Sequence, residues 1–165
     1  LGDVTFHITD RELVAFGRLP RQSRFQYIFH NWGAKPEILS IRLKNLGDGP
    51  HKSLIIEHKE NPVPNVRLKI IEIYSFIDGQ LQRRFAHELE QSVEGEGRAS
   101  ATLKMRGKPA EISLSKTRIE GLDEGNAHQI LSSPGLRPLL FPWRPKNGAR
   151  RFQLKSSGWM PQRNN

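Results

Sequence analysis

The chain has 165 residues, 36% of them hydrophobic, and a net charge of +9. That is enough for one modest core, and too apolar for a disordered chain. Cysteine is absent, which excludes disulfides, thiolate catalysis and cysteine zinc sites, and no run approaches the roughly 20 apolar residues of a membrane helix.

Val4, Phe6 and Ile8 alternate with Thr5 and His7, which predicts a short first strand. Thr9-Asp10-Arg11-Glu12 fits a capping box ahead of Leu13, Val14 and Phe16, so a helical turn is expected before Gly17 and Pro20. Residues 24–32, rich in aromatics, read as a strand, and residues 33–36 as a turn. In residues 36–59 the pattern is plainest. Leu39, Ile41 and Leu43 share one side, predicted buried, and Ser40, Arg42 and Lys44 the other. The turn formers Asn45 to Pro50 follow, then a second strand over 53–59.

Pro62 and Pro64 predict a loop or an edge crossover over 60–65. Residues 66–77 are the most strand-like run, and a change of phase at Ile70-Ile71 predicts a bulge. Asp78-Gly79 is a hairpin signal, and it favours a strand over residues 80–91, where Leu81, Phe85 and Leu89 would also suit a helix. Residues 92–97 read as a charged loop. Residues 99–106 alternate with Ala101, Leu103 and Met105 inward, Gly107-Lys108-Pro109 turns, and Ala110, Ile112 and Leu114 alternate in a second hairpin. Turn signals at such intervals up to Gly121 are the rhythm of a mainly β protein, an antiparallel β-sandwich.

Residues 122–165 differ. A short helix is expected around 127–131. From Gly125 onward there is no Asp or Glu, and seven basic residues: Arg137, Arg144, Lys146, Arg150, Arg151, Lys155 and Arg163. The rest of the chain is nearly neutral. The expected division is therefore a β-sandwich domain over 1–121 and a basic, proline-rich extension over 122–165. Within the extension, Arg144, Lys146, Arg150, Arg151 and Lys155 interleave with Trp143, Phe152 and Trp159. Cations meet phosphates, and aromatic faces stack on bases or cover cationic stems, so these eight are the candidate binding residues. The other reading of the same pattern docks the aromatics on the body and leaves the cations in water.

The segments LKNLGDGPHKSL, IEIYSFIDGQL and ASATLKM resemble Ig-like or fibronectin-III-like bacterial domains of the cell-adhesion-related type. The matching residues are Asn45, Gly47, Gly49 and Pro50 at a strand-end corner; Tyr74, Asp78 and Gly79 at a hairpin; and Gly97, Ala101, Thr102 and Leu103 at a turn into a strand. His51 departs from the small residue usual after the corner. The likeness spans residues 37–119 and implies an Ig-like binding or structural module.

Asp48, Glu57 and Lys59 resemble the metal-holding set of PD-(D/E)xK nucleases, and residues 75–81 add a faint likeness to that superfamily. Two carboxylates would hold a divalent ion and the lysine would steady phosphorane charge. That fold needs flanking helices which this chain scarcely offers. The six histidines (His7, His30, His51, His58, His87 and His128) form no metal-binding spacing. The reading is a non-enzymatic interaction or assembly module with no cofactor, catalytic residue or metal. Its basic C-terminal arm contacts a protein partner, another copy of itself or a polyanion. A nucleic-acid-binding protein is the alternative and a metal-dependent nuclease the third. Compartment is open, and so is a targeting segment ahead of Leu1.

Overall fold

The structure is a computed structural model that describes residues 4–9, 11–18, 25–32, 35–47, 52–78, 80–115, 117–129, 135–140, 149–155 and 158–162. Among them there is no helix, and the chain is built from antiparallel sheets. The strands are β1 (Val4–Ile8), β2 (Glu12–Arg18), β3 (Phe25–Asn31), β4 (Glu37–Lys44), β5 (Ser53–Val63), β6 (Val66–Ile77) and β7 (Gln80–Val93). They continue with β8 (Gly97–Ser100), β9 (Leu103–Arg106), β10 (Glu111–Leu114), β11 (Arg118–Glu120), β12 (Arg150–Lys155) and β13 (Gly158–Pro161). Among the described residues these form three sheets, with orders β1-β2-β3, β13-β12-β10-β9 and β11-β8-β7-β6-β5-β4.

The six-stranded sheet is buried on both faces around β6, where every residue from Ile70 to Ser75 is buried. On one face Ile55, Ile71, Ile73, Phe85 and Leu89 form a cluster with Ile112, Leu114, Phe152, Leu154 and Trp159 of the four-stranded sheet. On the other face, Leu54, Ile56 and Tyr74 meet Leu13 of the three-stranded sheet and Trp32 just after it. Val66, Leu68, Ile70 and Ala86 meet Leu136, Leu139 and Leu140. Apolar burial contributes roughly 25 cal/mol per Å², so a sheet covered on both sides is the stable centre of the molecule.

Several expectations change here. Residues 12–18 form β2, not a helical turn. Leu13 and Ala15 are buried in the middle of a sheet, and ladders to β1 and β3 satisfy the backbone on both sides. The Thr9 amide instead donates to the Glu12 carbonyl at 2.9 Å, closing the β1–β2 hairpin. Local capping propensity loses to two flanking ladders. Ile41 and Leu43 alternate with Arg42 and Lys44 as predicted, but Leu39 falls in a register shift between Ile38 and Ser40. Leu39, Ile41 and Leu43 are 40%, 51% and 53% exposed, because among the described residues β4 is the last strand of its sheet.

The loop expected over 60–65 is confined to a turn at Pro64 and Asn65, and Pro62 lies in β5. It is tolerated there because Asn61 and Pro62 fall in the register shift between Glu60 and Val63, and β4 pairs no further than Lys59. The predicted bulge exists, but its extra residue is Leu89 on β7, where Lys69 pairs with Glu90 and Ile70 with Glu88. Residues 99–106 are not one strand. The chain leaves the six-stranded sheet after Ser100 and enters the four-stranded one at Leu103. In the predicted helix over 127–131, residues 127–129 are not helical and the remainder lies outside the described residues.

The largest difference concerns the extension. β12 is an inner strand, paired with β10 on one side and β13 on the other. Phe152, Leu154 and Trp159 belong to the main cluster, so the core is not closed by Gly121.

At the β8–β11 end two glycines approach each other's backbone. Gly97 (φ 154°) and Gly121 (φ 75°) would each drive a Cβ into a carbonyl oxygen, that of Glu120 and of Glu96 respectively. Gly95 (φ 80°) has open space around it. Gly97→Ala and Gly121→Ala are each expected to cost at least about 2 kcal/mol, through backbone collision added to strain. Gly95→Ala pays only the left-handed conformation, about 1 kcal/mol. Urea midpoints of the three variants rank them, and equal midpoints would contradict the close approach.

Candidate functional site

Three places concentrate polar chemistry. The first is buried. β6 carries Glu72 into the face shared with the three-stranded sheet, where its carboxylate accepts from Trp32 Nε1 at 2.8 Å, Tyr74 OH at 2.7 Å and Arg83 Nη1 at 2.8 Å. His58 Nε2 stands 3.6 Å from Glu72 Oε2, and its Nδ1 is 3.5 Å from Glu60 Oε1. Burial alone would raise the Glu72 carboxyl, but its contacts with His58, Trp32 and Tyr74 together outweigh burial and hold it at about 2. Burial and then the neighbouring Glu72 charge raise the Tyr74 hydroxyl. His58 is fully buried and Glu72 nearly so. This constellation therefore ties two sheets together and gives a solute no access.

The second place joins β7 to the C-terminal segment. His87 Nδ1 donates to the Glu88 carbonyl at 2.6 Å, which leaves Nε2 to accept from Arg150 Nη1 at 3.1 Å. Arg150 also reaches the Pro138 carbonyl at 3.2 Å. Arg137 lies over the Phe152 ring, 5.1 Å from its centroid. Burial, with Arg150 and Arg137 nearby, holds the His87 imidazole at about 3. Burial pushes the Glu88 carboxyl up to about 7, although the Leu139 amide donates to it. Burial and then Arg137 lower Arg150 to about 10. These groups fasten residues 136–138 against the edge of β7 that β8 leaves uncovered.

The third place is exposed. In the four-stranded sheet, Ser113 of β10 pairs with Lys104 on one side and Arg151 on the other. Glu111 pairs with Arg106 and Gln153. Cross-strand partners share a face, and Lys155 lies two residues beyond Gln153 on the same face. Phe152, Leu154 and Ile112 take the opposite, buried face. Lys104, Arg106, Arg151 and Lys155 are all exposed, and Glu111 is the one carboxylate among the described residues of that face. Neighbouring strands lie about 4.8 Å apart, so these cations share one positively charged face.

No family model, curated protein or solved structure matches this chain.

The predicted binding residues are thus split. Arg151 and Lys155 face water on the basic sheet, and Arg150 is bonded to His87. Phe152 and Trp159 are buried, 1% and 3% exposed, and face away from that surface. Trp143, Arg144 and Lys146 lie outside the described residues. Lys104 and Arg106, which the sequence reading did not select, complete the surface. Their alternation with Leu103 and Met105 signalled an outward face, but only the register with β10 shows which residues they join.

Of the nuclease-like set, Glu57 pairs with Arg42 and with Lys69 at 3.1 Å, and Lys59 pairs with Glu37 at 3.2 Å. Asp48 lies outside the described residues. Among the described residues there is no group of three His, Asp or Glu placed to hold a metal, and no helix long and apolar enough to cross a membrane.

Proposed function

We propose that the chain is a non-catalytic interaction module, an Ig-like β-sandwich that holds a polyanion on the outer face of its four-stranded sheet. The layered reading is supported by the cluster in which the six-stranded and four-stranded sheets meet. The observation that carries the function is the outward row of Lys104, Arg106, Arg151 and Lys155, set, among the described residues, against Glu111 alone. A surface of one sign attracts a partner of the other, and each cation that meets an anionic group releases a counterion. With Phe152 and Trp159 turned inward, the described residues of this face offer charge without a stacking aromatic, which supports an electrostatic affinity indifferent to base identity.

Heparin binding tests this. If all four cations engage, log affinity falls against log salt with a slope of about −3 to −4, roughly a hundredfold between about 50 and 200 mM salt. Reversing Lys104 and Arg151 to Glu removes most of the affinity without unfolding the sheet, because both side chains are in water. A flat salt response, or binding untouched by that double reversal, overturns the proposal. Duplex DNA in the same assay separates the alternative: a clear preference for DNA over heparin makes nucleic acid the partner.

A further inference from the structure

The outer edge of β4 lies away from the basic sheet face and has a chemistry of its own. β4 is eight residues long and pairs only with β5, so among the described residues its other row of backbone N–H and C=O groups is open. Such an edge is a template for another strand. Ile41 and Leu43 share a face with their β5 partners Ile56 and Leu54, yet each is more than half exposed. Arg42 and Lys44, exposed on the opposite face, help to line a cleft of about 720 Å³ between β4–β7 and β9. Lys69 lines the same cleft, and Glu57, the one carboxylate of its lining, pairs with both Arg42 and Lys69. One side of this edge is therefore apolar and the other carries an excess of positive charge.

We propose that the outer edge of β4 takes up an extended segment of a partner protein whose side chains alternate between apolar and acidic. The apolar side chains lie against Ile41 and Leu43, and the acidic ones against Arg42 and Lys44. Alternation is required because β4 presents opposite chemistry on its two faces, and an added strand repeats that period of two. A second copy of this chain fits less well. Antiparallel pairing about Ile41 would make the two copies' Arg42 residues diagonal neighbours and bring together two chains of charge +9.

The probe is a capped peptide matching β4 in length, eight residues, alternating Val and Glu, compared with peptides alternating Val and Ser or Val and Lys. The Glu peptide is expected to bind by fluorescence anisotropy, to slow amide exchange in β4, and to exceed the Ser peptide about tenfold. Ile41→Lys and Leu43→Lys should each abolish binding. The pair Arg42→Gln with Lys44→Glu should erase the preference for Glu, and Arg151→Glu on the other surface should leave binding unchanged. Equal binding of the Ser and Glu peptides overturns the acidic specificity. Absence of Glu-peptide binding at low salt, or binding that follows Arg151 instead of β4, overturns the site. Sedimentation of the chain alone as a dimer that Ile41→Lys disperses overturns the assignment in favour of a second copy.

Discussion

A chain ending at Ala149 is expected not to fold. Without residues 150–165 the four-stranded sheet loses β12 and β13, and the main cluster loses Phe152, Leu154 and Trp159 together. Phe85 packs edge-on against both Phe152 (centroids 5.1 Å apart) and Trp159 (5.8 Å), so its ring would face water. Trp159→Ala alone should cost about 3–5 kcal/mol, against a total stability of about 5–15 kcal/mol for a domain. Trp159→Phe is the informative control. Trp159 Nε1 is buried without a hydrogen-bond partner among the described residues, so removing it takes away an orphaned donor while most of the packing remains. The alanine variant should lose urea resistance severely and the phenylalanine variant little. A truncated chain with a native cooperative transition would mean that the last strands only decorate a finished core.

Arg150 to Lys155 carry two sequence signals that point in different directions. Phe152 and Leu154 alternate with Arg151, Gln153 and Lys155, which is a strand pattern in plain view. Proline punctuation and the loss of acidic residues point to an extended arm, while the period of two points to a strand, and the period prevails in the fold. Where turn chemistry and period agreed, the fold was legible. Asp78 adopts φ 49° in the two-residue turn between Ile77 and Gln80, and β7 follows as expected. The β9–β10 hairpin followed from Gly107-Lys108-Pro109 in the same way. Burial of edge strands was not legible, because alternation in 39–43 says that two faces differ, not that anything covers the apolar one. The binding surface was half legible for a related reason. Arg151 and Lys155 stood out by charge, but Lys104 and Arg106 join them only through β10, and a pairing between residues so far apart in the chain leaves no local trace. Glu72 was the hardest to see. It sits in the apolar run Ile70 to Tyr74, and its burial depends on Trp32, forty residues away, and on Arg83.

That burial makes Glu72 the residue whose loss should do most damage after the C-terminal strands. Glu72→Ala removes the carboxylate on which the Trp32 N–H, the Tyr74 hydroxyl and the Arg83 guanidinium converge, and breaking a buried pair by removing one partner costs about 3–5 kcal/mol. Glu72→Gln keeps the shape and removes the charge, so it isolates the ionic part. The folded carboxyl sits at about 2 against 4.5 unperturbed. The stabilisation is therefore fully present above pH 4.5 and is lost as pH falls towards 2. Its size is about 3 kcal/mol by linkage. The wild-type curve alone does not isolate this contribution. His87, held at about 3 against 6.5, also loses stability as pH falls from 6.5 towards 3. Glu88, raised to about 7 from 4.5, acts oppositely and loses stability as pH rises between those values. Subtracting the Glu72→Gln curve from the wild-type curve cancels both. The difference should be large and level above pH 4.5 and shrink steadily below it. A difference that stays constant down to pH 2 would mean that the Glu72 charge does not hold the two sheets together, and that shape alone does.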